Sequence, residues 1–148
     1  MKAEELMIGD WVNLNFDVDY KTGNPIYGYV QVNSINKDGT IDVNCTFDIS
    51  VSMQDGWDLK LIKSIPITEE LLLKNGFKYV METRSYVLDP TFIEGSDGTF
   101  IKIDDSANLY VIGKTIYCEV AGYARVVSYI HELQHILKIC NIKKEIIL

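Results

Sequence analysis

The sequence predicts an α+β protein. The expected chain is an N-terminal SH3-like barrel or meander, a short helix, an antiparallel β-meander and a C-terminal amphipathic helix packed on it. Two periodicities and their punctuation carry this reading. Apolar residues alternate through 11–16 and 40–47, the spacing of strands with one buried face. Near the C-terminus the spacing becomes that of a helix with a single apolar stripe. Between these runs, Gly, Asn and Asp cluster where turns are needed.

In the first half, Trp11, Asn13 and Asn15 alternate with Val12, Leu14 and Phe16. The turn Lys21-Thr22-Gly23-Asn24-Pro25 ends this strand, and a second strand runs from Ile26 to Ile35. Asn36-Lys37-Asp38-Gly39 is a hairpin loop leading to a third strand, Thr40 to Phe47. There Ile41, Val43 and Cys45 share one face. Leu59 to Lys63 reads as a fourth strand. Short strands with tight hairpins fit a small SH3-like barrel, with a plain meander as the alternative. The expected division is 1–64 and 65–148, the two parts packing as one compact body.

Pro66 ends the strand run. Thr68 is the expected N-cap of a short helix, Glu69 to Asn75, whose two leading acids suit the positive end of the helix. Gly76 is its left-handed stop. Strands follow at 78–82 and 84–88, then at 99–103 paired with 109–112, and at 115–120. The last helix is placed from Ala124, after Gly122, to Cys140, with Asn141 as its cap. On it Val126, Tyr129, Ile130, Leu133, Ile136, Leu137 and Cys140 form one stripe, with His131 and His135 on the opposite, solvated face. Residues 142–148 could add an edge strand.

The chain has 148 residues and a net charge of −7. Residues 1–64 hold five Lys against ten Asp and Glu, hence −5; residues 65–148 hold nine basic against eleven acidic residues, hence −2. Acidity repels a phosphate backbone and weighs against nucleic acid as a partner. Cys45, Cys118 and Cys140 are far apart, without a CxxC, and read as reduced. No signal peptide or apolar membrane-length run is present, so the expected setting is cytoplasmic, away from the membrane.

His131-Glu132-Leu133-Gln134-His135 has the HExxH pattern. On a helix it would give two zinc ligands one turn apart, with Glu132 as the base that polarises a bound water. A third ligand is the missing part. The metzincin pattern needs Gly at 138 and His at 141, where this chain has Lys138 and Asn141. Glu145 is the sole acid after His135, and Asp104 or Asp105 upstream stays open. Asp17-Val18-Asp19 fails as a calcium loop, since Lys21 and Thr22 stand where an acid and Gly belong. Trp11, Tyr20, Tyr27, Tyr29 and Trp57 gather in the β-rich half. They read first as core and rim of a small barrel; the functional alternative is a peptide groove using Trp11, Tyr27, Tyr29 and Trp57. No Ser/His/Asp set, P-loop or GxGxxG is present.

Three segments carry a resemblance: Met1 to Asp10, Ile65 to Phe77 (Ile-Pro-Ile-Thr-Glu-Glu-Leu-Leu-Leu-Lys-Asn-Gly-Phe) and Tyr129 to His135. Together they resemble a family of short proteins of anaerobic gut bacteria, often found in phage or mobile-element neighbourhoods. The resemblance brings no catalytic residues. In that family the last segment also admits Gln for Glu and Asn for the final His, which implies a helix signature rather than a metal site. The resulting expectation is a non-enzymatic protein-binding module without a cofactor. A zinc-dependent hydrolase is the alternative, and an acidic nucleic-acid mimic the third reading.

Overall fold

Trp11–Val18 (β1) opens an antiparallel sheet because Val12 and Leu14 project to one side and are fully buried. The computed structural model describes residues 2–45, 55–90, 92–94, 100–102, 106–112 and 115–148. The chain divides into two compact units, Met1–Ile65 and Pro66–Leu148.

In the first unit, β1 is followed by Pro25–Ile35 (β2), Thr40–Cys45 (β3), Trp57–Asp58 (β4) and Ile62–Lys63 (β5). The strand order is β4-β3-β2-β1-β5, so the last strand returns to pair with the first, but among the described residues β4 and β5 remain the edges of an open sheet and the expected barrel is not closed. Residues 59–63 are therefore not one strand. Leu59–Leu61 form a 3-10 turn, capped by the Asp58 side chain accepting from the Lys60 N–H at 2.9 Å, and only Ile62 and Lys63 extend. Val12, Leu14, Val30, Val32, Ile41, Val43, Ile62 and Leu6 form the core. Gly9, at φ 93°, lets the lead-in turn so that its N–H reaches the Val32 carbonyl at 2.7 Å. Buried Asp10 accepts from the Met7 N–H at 2.7 Å and closes that turn.

The second unit begins with Glu69–Lys74 (α1). The Thr68 hydroxyl accepts from the Leu71 N–H at 3.3 Å, as its sequence position predicts. Gly76, at φ 80°, ends the helix. Its N–H reaches the Leu73 carbonyl and the Phe77 N–H reaches Leu72, both at 3.0 Å, a Schellman motif with Leu72 and Phe77 buried. Strands Lys78–Val80 (β6), Ser85–Leu88 (β7), Phe92–Glu94 (β8), Phe100–Lys102 (β9), Ala107–Ile112 (β10) and Thr115–Val120 (β11) follow.

Two sequence expectations are corrected here. First, β10 does not pair with the strand before it. β8 and β9 form their own two-stranded sheet, and β10 lies between β7 and β11. Second, the last helix does not start at Ala124. Ala121 and Gly122, at φ 51° and 81°, form a two-residue hairpin loop with Val120 facing Tyr123. Tyr123–Val127 is then a strand (β12) at the edge of a sheet ordered β12-β11-β10-β7-β6. The aromatic and β-branched content of this stretch favours it as a strand. Val126 is thus exposed on a strand rather than seated in a helix stripe.

The helix is Ile130–Ile139 (α2), burying Ile130, Leu133 and Leu137. Asn141, at φ 57°, follows its C-cap, with the Ile142 N–H reaching the Leu137 carbonyl at 2.8 Å. Residues 142–148 form no strand, yet Ile142 and Ile146 are buried. The turns expected at 95–98 and 113–114, and Asp104 and Asp105, lie outside the described residues. Among the described residues, no helix is long and apolar enough to cross a membrane.

Candidate functional site

The HExxH segment occupies the first turns of α2. The Glu132 carboxylate turns back along the helix and accepts from the N–H groups of Ser128 at 2.7 Å and Tyr129 at 3.1 Å. It thereby satisfies backbone donors that the helix start leaves without carbonyl partners, and its charge faces the positive end of the helix. The Tyr129 backbone also bridges to Pro66, and the Ile67 N–H donates to the Ser128 carbonyl at 3.1 Å. Glu132 therefore fixes a junction where two parts of this unit meet.

The two histidines have different surroundings. His131 is 4% exposed, which corrects the solvated face expected for it. Its ring stacks on Tyr129, with centroids 5.9 Å apart and planes 8° from parallel. Spacing alone placed it wrongly because part of its cover, the Tyr129 ring, comes from the residue just before the helix and not from the apolar stripe. His135 is half-buried, and its ring meets His131 edge-on at 5.9 Å. The pair has the spacing of any i, i+4 neighbours. Among the described residues, no group of three His, Cys, Asp or Glu side chains gathers here or elsewhere.

The aromatic residues of the first unit separate into two sets. Across β1 and β2, Asn13 faces Tyr29, Asn15 faces Tyr27 and Trp11 faces Gln31. Asn13 also faces Lys63 on β5. Directly opposed residues share a sheet face, and this face is the one opposite Val12, Leu14 and Val30. Trp11, Tyr27 and Tyr29 thus come together on the outer surface. Trp57 does not join them. It faces Ile41 and packs against the core.

On the outer face, the Lys63 ammonium lies 4.5 Å from the centre of the Tyr27 ring. Tyr29 is 46% exposed. A concavity of about 270 Å³ lies against Asn13, Tyr27, Gly28 and Tyr29. The sequence reading missed Asn13 and Lys63. The alternation through Trp11 places Asn13 on this face, whereas Lys63 needs the pairing of β5 with β1, which no local pattern announces.

The arrangement offers flat aromatic surface, amide hydrogen-bonding groups and one cation already seated on a ring. These are recognition chemistries, and they hold no nucleophile–base pair. Comparison with family models, curated proteins and solved structures finds no significant match to this chain.

Proposed function

We propose that this protein is a non-enzymatic binding module. Its outer face, carrying Trp11, Tyr27 and Tyr29, takes up an extended, basic peptide segment of another protein. The observation that carries this is the convergence of three aromatic side chains from two paired strands on the surface away from the core. Tyr and Trp give large contact area with little side-chain entropy to lose, which suits them to binding surfaces. A cation over Tyr27 is the contact that a Lys or Arg of a partner would make with Tyr29. The five Lys against ten Asp and Glu in residues 1–64 favour a basic partner over an acidic one.

The strand order of the first unit supports an SH3-like reading: a 3-10 turn leads into a last strand that pairs back with the first. That class presents aromatic-lined peptide grooves. The three resembling segments support a phage or mobile-element setting, and the free thiols of Cys45, Cys118 and Cys140 support a reducing, cytoplasmic place of action.

Selection of a displayed random-peptide library on the immobilised protein tests the proposal. The expected result is enrichment of Lys- or Arg-bearing peptides whose binding is lost in Tyr29→Ala. Selection of nothing, or of peptides indifferent to that change, overturns it.

The zinc-hydrolase reading, with His131 and His135 as ligands and Glu132 as base, has less support. Glu132 is engaged with the Ser128 and Tyr129 backbone, and His131 is buried. Metal analysis of protein purified without chelator tests it. Zinc near one per chain would favour it, and less than about 0.1 per chain would remove it, since structural and catalytic sites hold zinc tightly.

A further inference from the structure

In the second unit, β11 and β12 set Cys118 opposite Arg125 and Val120 opposite Tyr123. The four side chains therefore share one face of the sheet. Cys118 and Val120 are buried on it, whereas Tyr123 is 80% exposed and Arg125 is exposed too. The cover that seals β11 stops short of the edge strand. From the helix, Ile139 is 69% exposed and Ile136 half-buried. Between them runs a groove of about 430 Å³, walled by Cys118, Tyr123 and Arg125 on one side and Ile136, Ile139 and Cys140 on the other.

We propose that this groove binds a small carboxylate with an unbranched apolar body. The volume falls among small-molecule sites, which span about 300–1,000 Å³. The lining chemistry then selects the ligand. Isoleucine side chains and two free thiols give apolar walls. Burial holds the Cys118 thiol in its neutral form, so the floor carries no negative charge. Among the described lining residues Arg125 is the one cation. A guanidinium matches a carboxylate with two parallel N–H···O bonds, and the apolar wall beside it accepts a hydrocarbon chain. A cation would be repelled by Arg125, and a wholly polar ligand would leave the apolar walls without a partner. The site is independent of the peptide-binding face, which lies in the other unit.

Decanoate, below its micellar concentration, is the probe, with decanol as the chain without the charge. Both are titrated into the whole protein and followed by NMR at Ile136 and Ile139. Alkylation of Cys140 by N-ethylmaleimide is measured in parallel by peptide mass spectrometry, with half-buried Cys45 of the other unit as internal control. The expected result is saturable shifts with decanoate, slower labelling of Cys140 and unchanged labelling of Cys45. Decanol and Arg125→Ala each cost about tenfold in affinity, the size of one charge-assisted contact. Ile139→Asp abolishes binding of both. Arg125 and Ile139 are exposed, so neither change opens the core. Absence of saturable shifts at millimolar decanoate overturns the proposal, and so does equal decanoate affinity in Arg125→Ala.

Discussion

The side chain of Asn75 holds the backbone of Ile147 from both ends of its amide. Asn75 Nδ2 donates to the Ile147 carbonyl at 2.8 Å, and Asn75 Oδ1 accepts from the Ile147 N–H at 2.7 Å. The same Nδ2 donates to the Leu71 carbonyl at 2.8 Å. A buried amide thus does for the C-terminal tail what a neighbouring strand would do. It explains how residues 142–148 stay seated, with Ile146 buried, without forming a strand.

Asn75→Ala removes these contacts and is expected to destabilise the protein by about 2–3 kcal/mol, the range for buried polar networks losing one member. Asn75→Asp should be no better, because a carboxylate cannot donate to the two carbonyls. Urea unfolding measures the loss, and amide exchange at Ile147 should rise in both variants. An unchanged midpoint would contradict the tail-anchoring role.

Glu132 acts as a helix cap. Glu132→Ala is expected to cost about 1 kcal/mol, with Glu132→Gln retaining part of the cap. Thermal unfolding of the two variants reads this ordering. If both match wild type, the carboxylate is free for another task and the capping account fails.

Asp42 gathers the Ser34 hydroxyl, the Gly56 N–H and the Asn36 amide, and these hydrogen bonds hold its pKa below the ordinary carboxylate value, with the Ser34 contact the largest cause. The folded pKa is depressed, so the contribution to stability is present above the unfolded value of 3.8 and is lost as pH falls through the folded value. Stability should therefore decline as pH falls below about 4. In Asp42→Asn part of that acid dependence should vanish. Denaturant midpoints between pH 2 and 6 provide the comparison. Identical slopes in both proteins would show that other carboxylates carry it.

Burial pushes the Cys118 thiol up to about 12, with Cys140 nearby adding to it. A thiol in that state supplies almost no thiolate at pH 8. Iodoacetamide at pH 8 should therefore leave Cys118 unmodified in the folded protein and modify it readily in urea. Rapid labelling in the native state would place Cys118 outside the core.

Local chemistry made much of the fold legible. Thr68 and Gly76 bound α1 as their residue types require, and the alternation through Val12 and Leu14 marks the buried face of β1. Two things escaped for identifiable reasons. The stretch 123–127 has apolar residues at spacings that fit either a strand or the helix that follows, and Gly122 serves a hairpin as readily as a helix lead-in. The decision lay with the β11 partner, which is tertiary information. Likewise His131 looked exposed because it lies away from the stripe of Ile130, Leu133 and Leu137, and its cover includes Tyr129, stacked on its ring from outside the helix, which periodicity does not register. The aromatic candidates were visible as a composition. Separating Trp57 from Trp11, Tyr27 and Tyr29 required the registers of β1 with β2 and of β3 with β4.

The most direct test of the binding account is an NMR titration of the whole protein with a library-selected basic peptide, mapping perturbed side chains. The account predicts saturable shifts at the Trp11 indole and the Tyr27 and Tyr29 rings, small changes at Trp57, and no saturation in a Trp11→Ala, Tyr29→Ala variant. Shifts centred on Trp57 or on the second unit, or saturation that survives the double change, would contradict it.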